Sequence, residues 1–264
     1  MQMELLISST ANPRVKMARS LREKKFRDQS GLFLCEGIHH VGAAFEAGWE
    51  VETAFFEPNG LVSGYGNKLM ATMQSAGVPC MPVTPHVFET LAEKERTLGI
   101  VAVLRKKTFG LESFASQKII SAMVTPQDPG NVGTLLRTLD AIGGGGLALL
   151  DGGVDPFHPA VMRASMGSFF SIPTVSTSFD HFSVWAQQEG WHLVGTSARG
   201  KDLKQANLPA EKMVLLFGSE QKGLEPNQIN ACETLVSVPM LGKNTSLNIG
   251  VAAGIILYKV SGLV

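Results

Sequence analysis

VLLFGSEQKGLEP (214–226) and VSVPMLGKNTSLNIGVAAGIILYKV (236–260) are the stretches on which the fold of this 264-residue chain turns. Each opens with a short apolar run rich in β-formers, then breaks into glycine, serine, asparagine and proline. The second run leads into a helix pattern of small residues. Such breaks put exposed backbone between buried strands and a buried helix. Gly218, Gly223 and Gly242 let a group approach the main chain, while Glu220, Ser246 and Asn248 supply polar side chains. The combination suits a flat small molecule with polar edges.

Length and composition, 44% hydrophobic and 17% charged, describe a folded protein of one large domain or two. Net charge is zero, so affinity for nucleic acid must come from local basic patches. Cys35, Cys80 and Cys232 are widely spaced and form no CxxC pair, which excludes a disulfide framework or a zinc cluster and fits a reducing compartment. The N-terminus has no cationic segment followed by a long apolar one. The longest apolar run, 249 to 258, falls short of the roughly 20 residues of a membrane span. The expectation is a soluble cytoplasmic protein.

Residues 8 to 31 place Val15, Ala18, Leu21 and Phe26 at helical spacing, with Arg14, Lys16, Arg19, Arg22, Lys24, Lys25 and Arg27 on the other face. That face is either an ordinary solvated one or a phosphate-contacting arm. Strand patterns at 31–37, 51–58, 78–83 and 99–105 then alternate with helix patterns at 39–48, 68–76 and 85–94, indicating a small α/β domain. His39 and His40, at a helix start, suit caps or surface positions better than ligands. Residues 105–118 lose the apolar periodicity and mark a linker. A second α/β domain with a parallel sheet follows: strands at 119–124 and 146–151, a strand at WHLVGTSA, the two C-terminal strands, and helices over QDPGNVGTLLRTLDAIG, HPAVMRASMGSFF and the C-terminus. The boundaries are 1–107 and 108–264.

Two nucleotide motifs fail on position. Glycines 143 to 146 precede a strand, whereas the dinucleotide fingerprint follows one. In GSEQKG, Leu224 stands where a phosphate loop needs lysine. The helix of QDPGNVGTLLRTLDAIG carries Asn131 at its turn, flanked by glycines, and Arg137 two turns on. Lys222 and Glu225 read as surface charges.

DPGNVGTLLRTLDAIG (128–143), DPFHPAVMRASMGSFF (155–170), LLFGSEQKGL (215–224) and VPMLGKNTSLNIGVAAGI (238–255) resemble, in order and spacing, the signatures of the SpoU (TrmH-like) branch of the SPOUT superfamily of RNA methyltransferases. NPRVKMARSLREKKFRDQSGLFLCEG, near the N-terminus, is similar to the substrate-binding domain of its ribosomal-RNA members. The resemblance implies a C-terminal SPOUT domain with a trefoil knot, an exception to the rule against threaded loops. It implies a smaller, ribosomal-protein-like α/β RNA-binding domain before it.

It further implies an S-adenosylmethionine-dependent RNA ribose-2′-O methyltransferase, a homodimer acting on ribosomal RNA in preference to transfer RNA, with no metal. By matching positions, Gly218, Val238 and Leu247 hold the cofactor, and Arg137, Asn131, Glu220, Ser246 and Asn248 form the catalytic set. Because a guanidinium holds its proton firmly, Arg137 suits stabilising a developing alkoxide better than acting as a base. Arg14, Lys16, Arg22 and Arg163 contact RNA, with Ser165 beside Arg163. Ala160, Thr245 and Leu139 depart from the family pattern, and the missing lysine at 160 weakens that segment as an RNA surface. The alternatives are a non-enzymatic RNA-binding or ribosome-assembly protein that keeps the fold, and a Rossmann-type methyltransferase, whose glycines the segment TPQDPGN lacks.

Overall fold

A computed structural model describes residues 6–92, 99–243 and 246–264. The chain runs through α1 (Pro13–Ser20), α2 (Lys24–Ser30), β1 (Leu32–Glu36), α3 (Ile38–Glu46), β2 (Val51–Phe56), α4 (Gly64–Ser75), β3 (Cys80–Pro82), α5 (Pro85–Leu91) and β4 (Ile100–Arg105). Next come β5 (Ile119–Val124), α6 (Pro129–Ala141), β6 (Gly146–Leu150), α7 (Pro159–Ser165), β7 (Thr174–Thr177) and α8 (Phe179–Gln188). Last are β8 (His192–Asp202), β9 (Met213–Phe217), α9 (Pro226–Ala231), β10 (Thr234–Ser237) and α10 (Ile249–Val260). Two compact units result: the chain up to Lys107 with Phe157–Phe170, and Thr108–Pro156 with Ser171–Val264.

The first unit is built on a four-stranded mixed sheet in the order β1-β4-β2-β3. β4 lies antiparallel to both β1 and β2, and β3 runs parallel to β2. Leu34, Phe55, Val101 and Val103 of the sheet meet Val15, Ala18 and Leu21 from the α1 segment and Val87, Phe88 and Leu91 from α5. The segment at 157–170, read in the sequence as part of the second domain, packs here because it is aromatic. Phe157 and Phe169 lie 5.0 and 6.4 Å from Phe33, and Phe170 lies 5.3 Å from Trp49. The Trp49 indole also donates to the Phe170 carbonyl at 3.1 Å.

The basic stretch near the N-terminus is two helices and not one. Asn12 caps α1, its side chain accepting from the Arg14 amide. The chain then breaks, and Glu23 takes an extended conformation before α2. A continuous helix would turn Phe26 inward and Arg27 outward. The break resets the phase, so Phe26 is 36% exposed and Arg27 only 1%. Arg27 Nη1 donates to the carbonyls of Leu21 and Arg22 at 2.8 and 2.7 Å, which ties its guanidinium to the break itself. Phe26 as a core position and Arg27 as part of the basic face are thereby corrected. The helix expected to run to Lys94 ends at Leu91, and Lys94 lies outside the described residues.

In the second unit six strands run parallel in the order β10-β8-β9-β5-β6-β7. From β5 the chain winds one way through β6 and β7. It then returns to the other flank of β5, where β9 pairs Ser121 with Leu215. In an open parallel sheet such a reversal leaves a crevice at the carboxyl ends of the strands. The stretch read as a linker contributes to the core here: a short 3-10 turn at Leu111–Phe114 buries both its ends, and Phe114 lies 5.9 Å from Trp185. Phe114→Ala will lower stability by about 3–5 kcal/mol, measured by urea unfolding. A change within error would return the segment to linker status.

Candidate functional site

The crevice is a cavity of about 990 Å³, lined by the middle of β8, by the residues that end β9 and β10, by the start of α6 and by the N-terminus of α10. At the end of β9, Gly218 is buried, and a Cβ there would collide with the backbone of Gly223 and Leu224. Only glycine fits. Beyond it the chain folds back sharply, with Ser219 and Gly223 exchanging backbone hydrogen bonds of 3.0 and 2.8 Å. This turn holds Glu220 at its tip. Pro226 and a capping box between Glu225 and Gln228 then start α9.

Across the cavity, α6 begins in the turn after β5. Thr125 closes that strand with φ +41°, an outlier for a β-branched residue. Asp128, and not Asn131, caps α6, its carboxylate accepting from the Gly130 amide at 2.7 Å. Asn131 therefore stands inside the first turn, 6% exposed. Its Nδ2 donates to Glu220 Oε1 at 2.6 Å, and its Oδ1 accepts from Asn248 Nδ2 at 3.0 Å. The other end of the Asn248 amide caps α10, with Oδ1 accepting from the amides of Gly250 and Val251 at 2.9 and 3.3 Å. One buried amide thus joins α6, the turn after β9 and the start of α10.

Gly218, Val238 and Leu247, expected to hold a cofactor through their main chains, all line this cavity. Their backbone groups enter no hydrogen bond with the described residues. Of the three only Gly218 is buried, Val238 being half-buried and Leu247 exposed, and a buried main chain left so is paired by something else in a working protein. Ser246 also lines the cavity, while Thr245 lies outside the described residues. Arg137 does not line it. Six positions beyond Asn131, it has turned about 120° round α6 and is exposed.

The SpoU rRNA Methylase family matches residues 118–258, more than half of the chain, and an MRM3-like substrate binding domain matches residues 12–102. The chain belongs to the SpoU rRNA methylase family. A 23S rRNA (guanosine(2553)-2'-O)-methyltransferase of Bacillus subtilis, RlmP, is 28% identical over 97% of this chain and 99% of its own. The AdoMet-bound structure of an rRNA methyltransferase from Sinorhizobium meliloti superposes with a TM-score of 0.89 at 29% identity, covering 98% of each chain. The SpoU methyltransferase AviRb from Streptomyces viridochromogenes, in complex with AdoMet, gives 0.87 at 28% identity over 96% of this chain and 98% of its own.

Within this SpoU chain the residues expected to touch RNA differ in their freedom. Arg14 and Lys16 are exposed on α1, and Arg14 Nη1 lies 3.4 Å from the Met81 sulfur. Arg22 is half-buried and donates to the Ala92 carbonyl at 2.9 Å, a structural tie. Arg163 is half-buried on α7, in the first unit. Beside it Ser165 is wholly buried, its hydroxyl bonded to the Met162 carbonyl. Lys24 and Lys106 both bind Asp28, whose carboxyl they hold down at about 2 through hydrogen bonds, that of Lys106 first. His40 Nδ1 lies 2.7 Å from the Glu36 carbonyl, and His39 stacks on Tyr65. Among the described residues no three His, Cys, Asp or Glu side chains gather as metal ligands, and no helix is long and apolar enough to cross a membrane.

Sequence reading missed three parts of the wall: Thr196, Ser197 and Ala198, which follow a buried run in the same way as GSEQKG; Lys222, read as a plain surface charge; and Asp128. Asn131→Asp tests the amide bridge with an isosteric change. It removes the donor to Glu220 and sets two carboxylates together, which raises the folded-state pKa of the pair. The variant will lose about 1–3 kcal/mol at pH 7. Stability tied to a raised carboxyl pKa is present below the unfolded value and lost as pH rises, so the deficit will shrink on acidification towards pH 4. Thermal melting at the two pH values checks it, and a deficit independent of pH would mean that the bridge is not what the change disturbs.

Proposed function

We propose that this chain transfers a methyl group from S-adenosylmethionine to a ribose 2′-hydroxyl of structured RNA, ribosomal in preference to transfer RNA. The observation that carries the proposal is the buried main chain at Gly218, without a partner among the described residues, beside half-buried Val238 and exposed Leu247, in a cavity of a family two of whose solved members hold AdoMet. Backbone amides and carbonyls fit the donor and acceptor edge of an adenine, and the glycines let a flat ring lie against the chain.

Once bound, S-adenosylmethionine supplies a methyl group already activated by the sulfonium, so no metal is required. The protein's work is alignment and charge. Asn131 holds Glu220 and Asn248 in one arrangement, which sets the shape of the cavity on the α6 side. Ser246 presents a hydroxyl to the same space. Arg137 stabilises the negative charge developing on the ribose oxygen, acting as a fixed cation and not as a base. Arg14 and Lys16, on the unit that matches a substrate-binding domain, hold phosphates. A ribosomal substrate places the chain in the cytoplasm.

The active form is a homodimer, and two observations support this. Val251, Ile255 and Tyr258 form an exposed apolar stripe on α10 at helical spacing. Arg137 stands outside the cavity of its own chain, so a second copy is needed to bring a guanidinium to it. The family's trefoil knot in the C-terminal segment is part of the same proposal.

Arg137→Ala will lower methyl transfer by about 10²–10³-fold while leaving donor binding unchanged by calorimetry. Gly218→Ala will lose both. Mixing the two inactive variants will restore transfer, because one copy keeps an intact cavity and the other an intact arginine. The assay is transfer of labelled methyl to RNA from cells lacking the protein, with 2′-O-methyl mapping. Full turnover by Arg137→Ala removes the arginine from the chemistry, and no recovery on mixing removes the shared site.

A further inference from the structure

β8 is eleven residues long, about twice the length of β9, which it pairs with only as far as Gly195. Along β10, Leu235 pairs with Gly195, but the next residue, Val236, pairs with Lys201. Residues 196–200 therefore bulge out of the ladder, and Thr196, Ser197 and Ala198 of the bulge line the cavity. The bulge is held firmly at its base. Gly200 lies so close to the backbone of Val236 that no side chain fits there, and Ser237 Oγ donates to the carbonyls of Gly200 and Lys201 at 3.0 and 3.3 Å. Leu203 anchors the far end by burial, and its amide donates to the Ser237 carbonyl at 2.9 Å.

What this frame presents is charge. Arg199 and Lys201 stand exposed on it, Lys204 follows, and Lys222 reaches the same cavity from the turn after β9. No carboxylate among the described residues pairs with any of the four. Asp202, the one acid in the segment, turns its Oδ1 to the Lys204 amide at 2.8 Å. In the basic stretch near the N-terminus Lys24 is tied to Asp28, Arg22 to a carbonyl, and Arg27 is buried, while Arg14 and Lys16 stand exposed as these four do. Unpaired cations on a pinned loop at the rim of a site meet a polyanion without first giving up an ion pair.

We propose that Arg199 and Lys201 form a phosphate-binding rim that seats the RNA backbone beside the acceptor ribose. This rests on the methyltransferase function proposed above, and it adds a second RNA contact, next to the chemistry, to the one on the substrate-binding unit. The loop holds the strand flanking the modified nucleotide, so its contribution is electrostatic and independent of base sequence.

The test compares wild type, Arg199→Ala/Lys201→Ala and, as a control, Lys118→Ala, which alters an exposed ion pair with Glu211 at the opposite end of the parallel sheet. The probe is an in vitro 23S rRNA transcript, bound between 50 and 200 mM KCl in the presence of S-adenosylhomocysteine. Because the electrostatic part of binding needs no cognate sequence, the transcript reports on the rim whichever nucleotide is the target. Each lost phosphate contact reduces the slope of log K against log salt by about 0.7–0.9, so the double variant will fall short of wild type by about 1.4–1.8. Lys118→Ala will match wild type, and both variants will keep wild-type donor affinity and melting temperature.

A wild-type slope in the double variant overturns the rim while leaving the methyltransferase function intact. Loss of donor affinity in the double variant overturns it too, by making the loop part of the cofactor wall. A wild type whose RNA affinity does not fall with salt overturns the RNA function itself.

Discussion

The side-chain amide of Asn131 is the joint on which the cavity depends. It has one donor end and one acceptor end, and each is in use: the donor towards Glu220 on the turn after β9, the acceptor towards Asn248 at the head of α10. An asparagine amide does both at once from two separate atoms, a reach that a single hydroxyl lacks. Its burial makes the requirement strict, because a polar group withdrawn from water and left half-paired costs more than the pair contributes. Elements separated by 89 and 117 positions along the chain are thus brought to one arrangement by a single residue. The N-terminus of α10 is part of that arrangement, since the amide that meets Asn131 is also the cap of the helix.

Around this joint the wall is built from the three strands on the β8, β9 and β10 flank of the sheet. Strands β9 and β10 end at the crevice, and β8 reaches it through residues 196–198, where its ladder with β10 is interrupted before resuming at Lys201. Side chains that project from a strand end are mobile and differ in reach, whereas backbone amides at a strand end are placed by the ladder behind them. The turn is tightest where glycine stands: Gly218 leaves no room for a Cβ, and Gly223 has φ +70°.

Much of this was legible in sequence because buried parallel strands are written as unbroken apolar runs. The runs at 119–124 and 213–217 and the glycine breaks after them gave the second sheet and the place of the cavity. Other features had no such mark. In DPGN two residues are able to cap a helix; Pro129, at the first helical position, is what selects Asp128 and draws Asn131 inside. Phe157, Phe169 and Phe170 sit among second-domain signatures, but aromatic residues carry no address, and their partners Phe33 and Trp49 are more than a hundred positions away. Phe26 and Arg27 exchanged inside and outside because a helix break at Glu23 resets a periodicity that sequence alone continues. Arg137 marks a different limit. Its position in a motif is plain, while its direction depends on how the helix is rolled.

Zero net charge looks at first like a poor match to a polyanionic substrate. The structure resolves this through pairing and not through totals. Cations bound to carboxylates, as Lys24 and Lys106 are to Asp28 and Arg105 is to Glu50 and Glu52, present little field beyond their partners. Those that lack a partner act over about 8 Å at physiological salt, a distance comparable with the spacing of a few phosphates. A chain with few unpaired cations at chosen places gains contact with RNA there and little elsewhere, which favours register over adhesion. For an enzyme that must set one hydroxyl among thousands against a methyl donor, weak general affinity and firm local seating are the more useful combination.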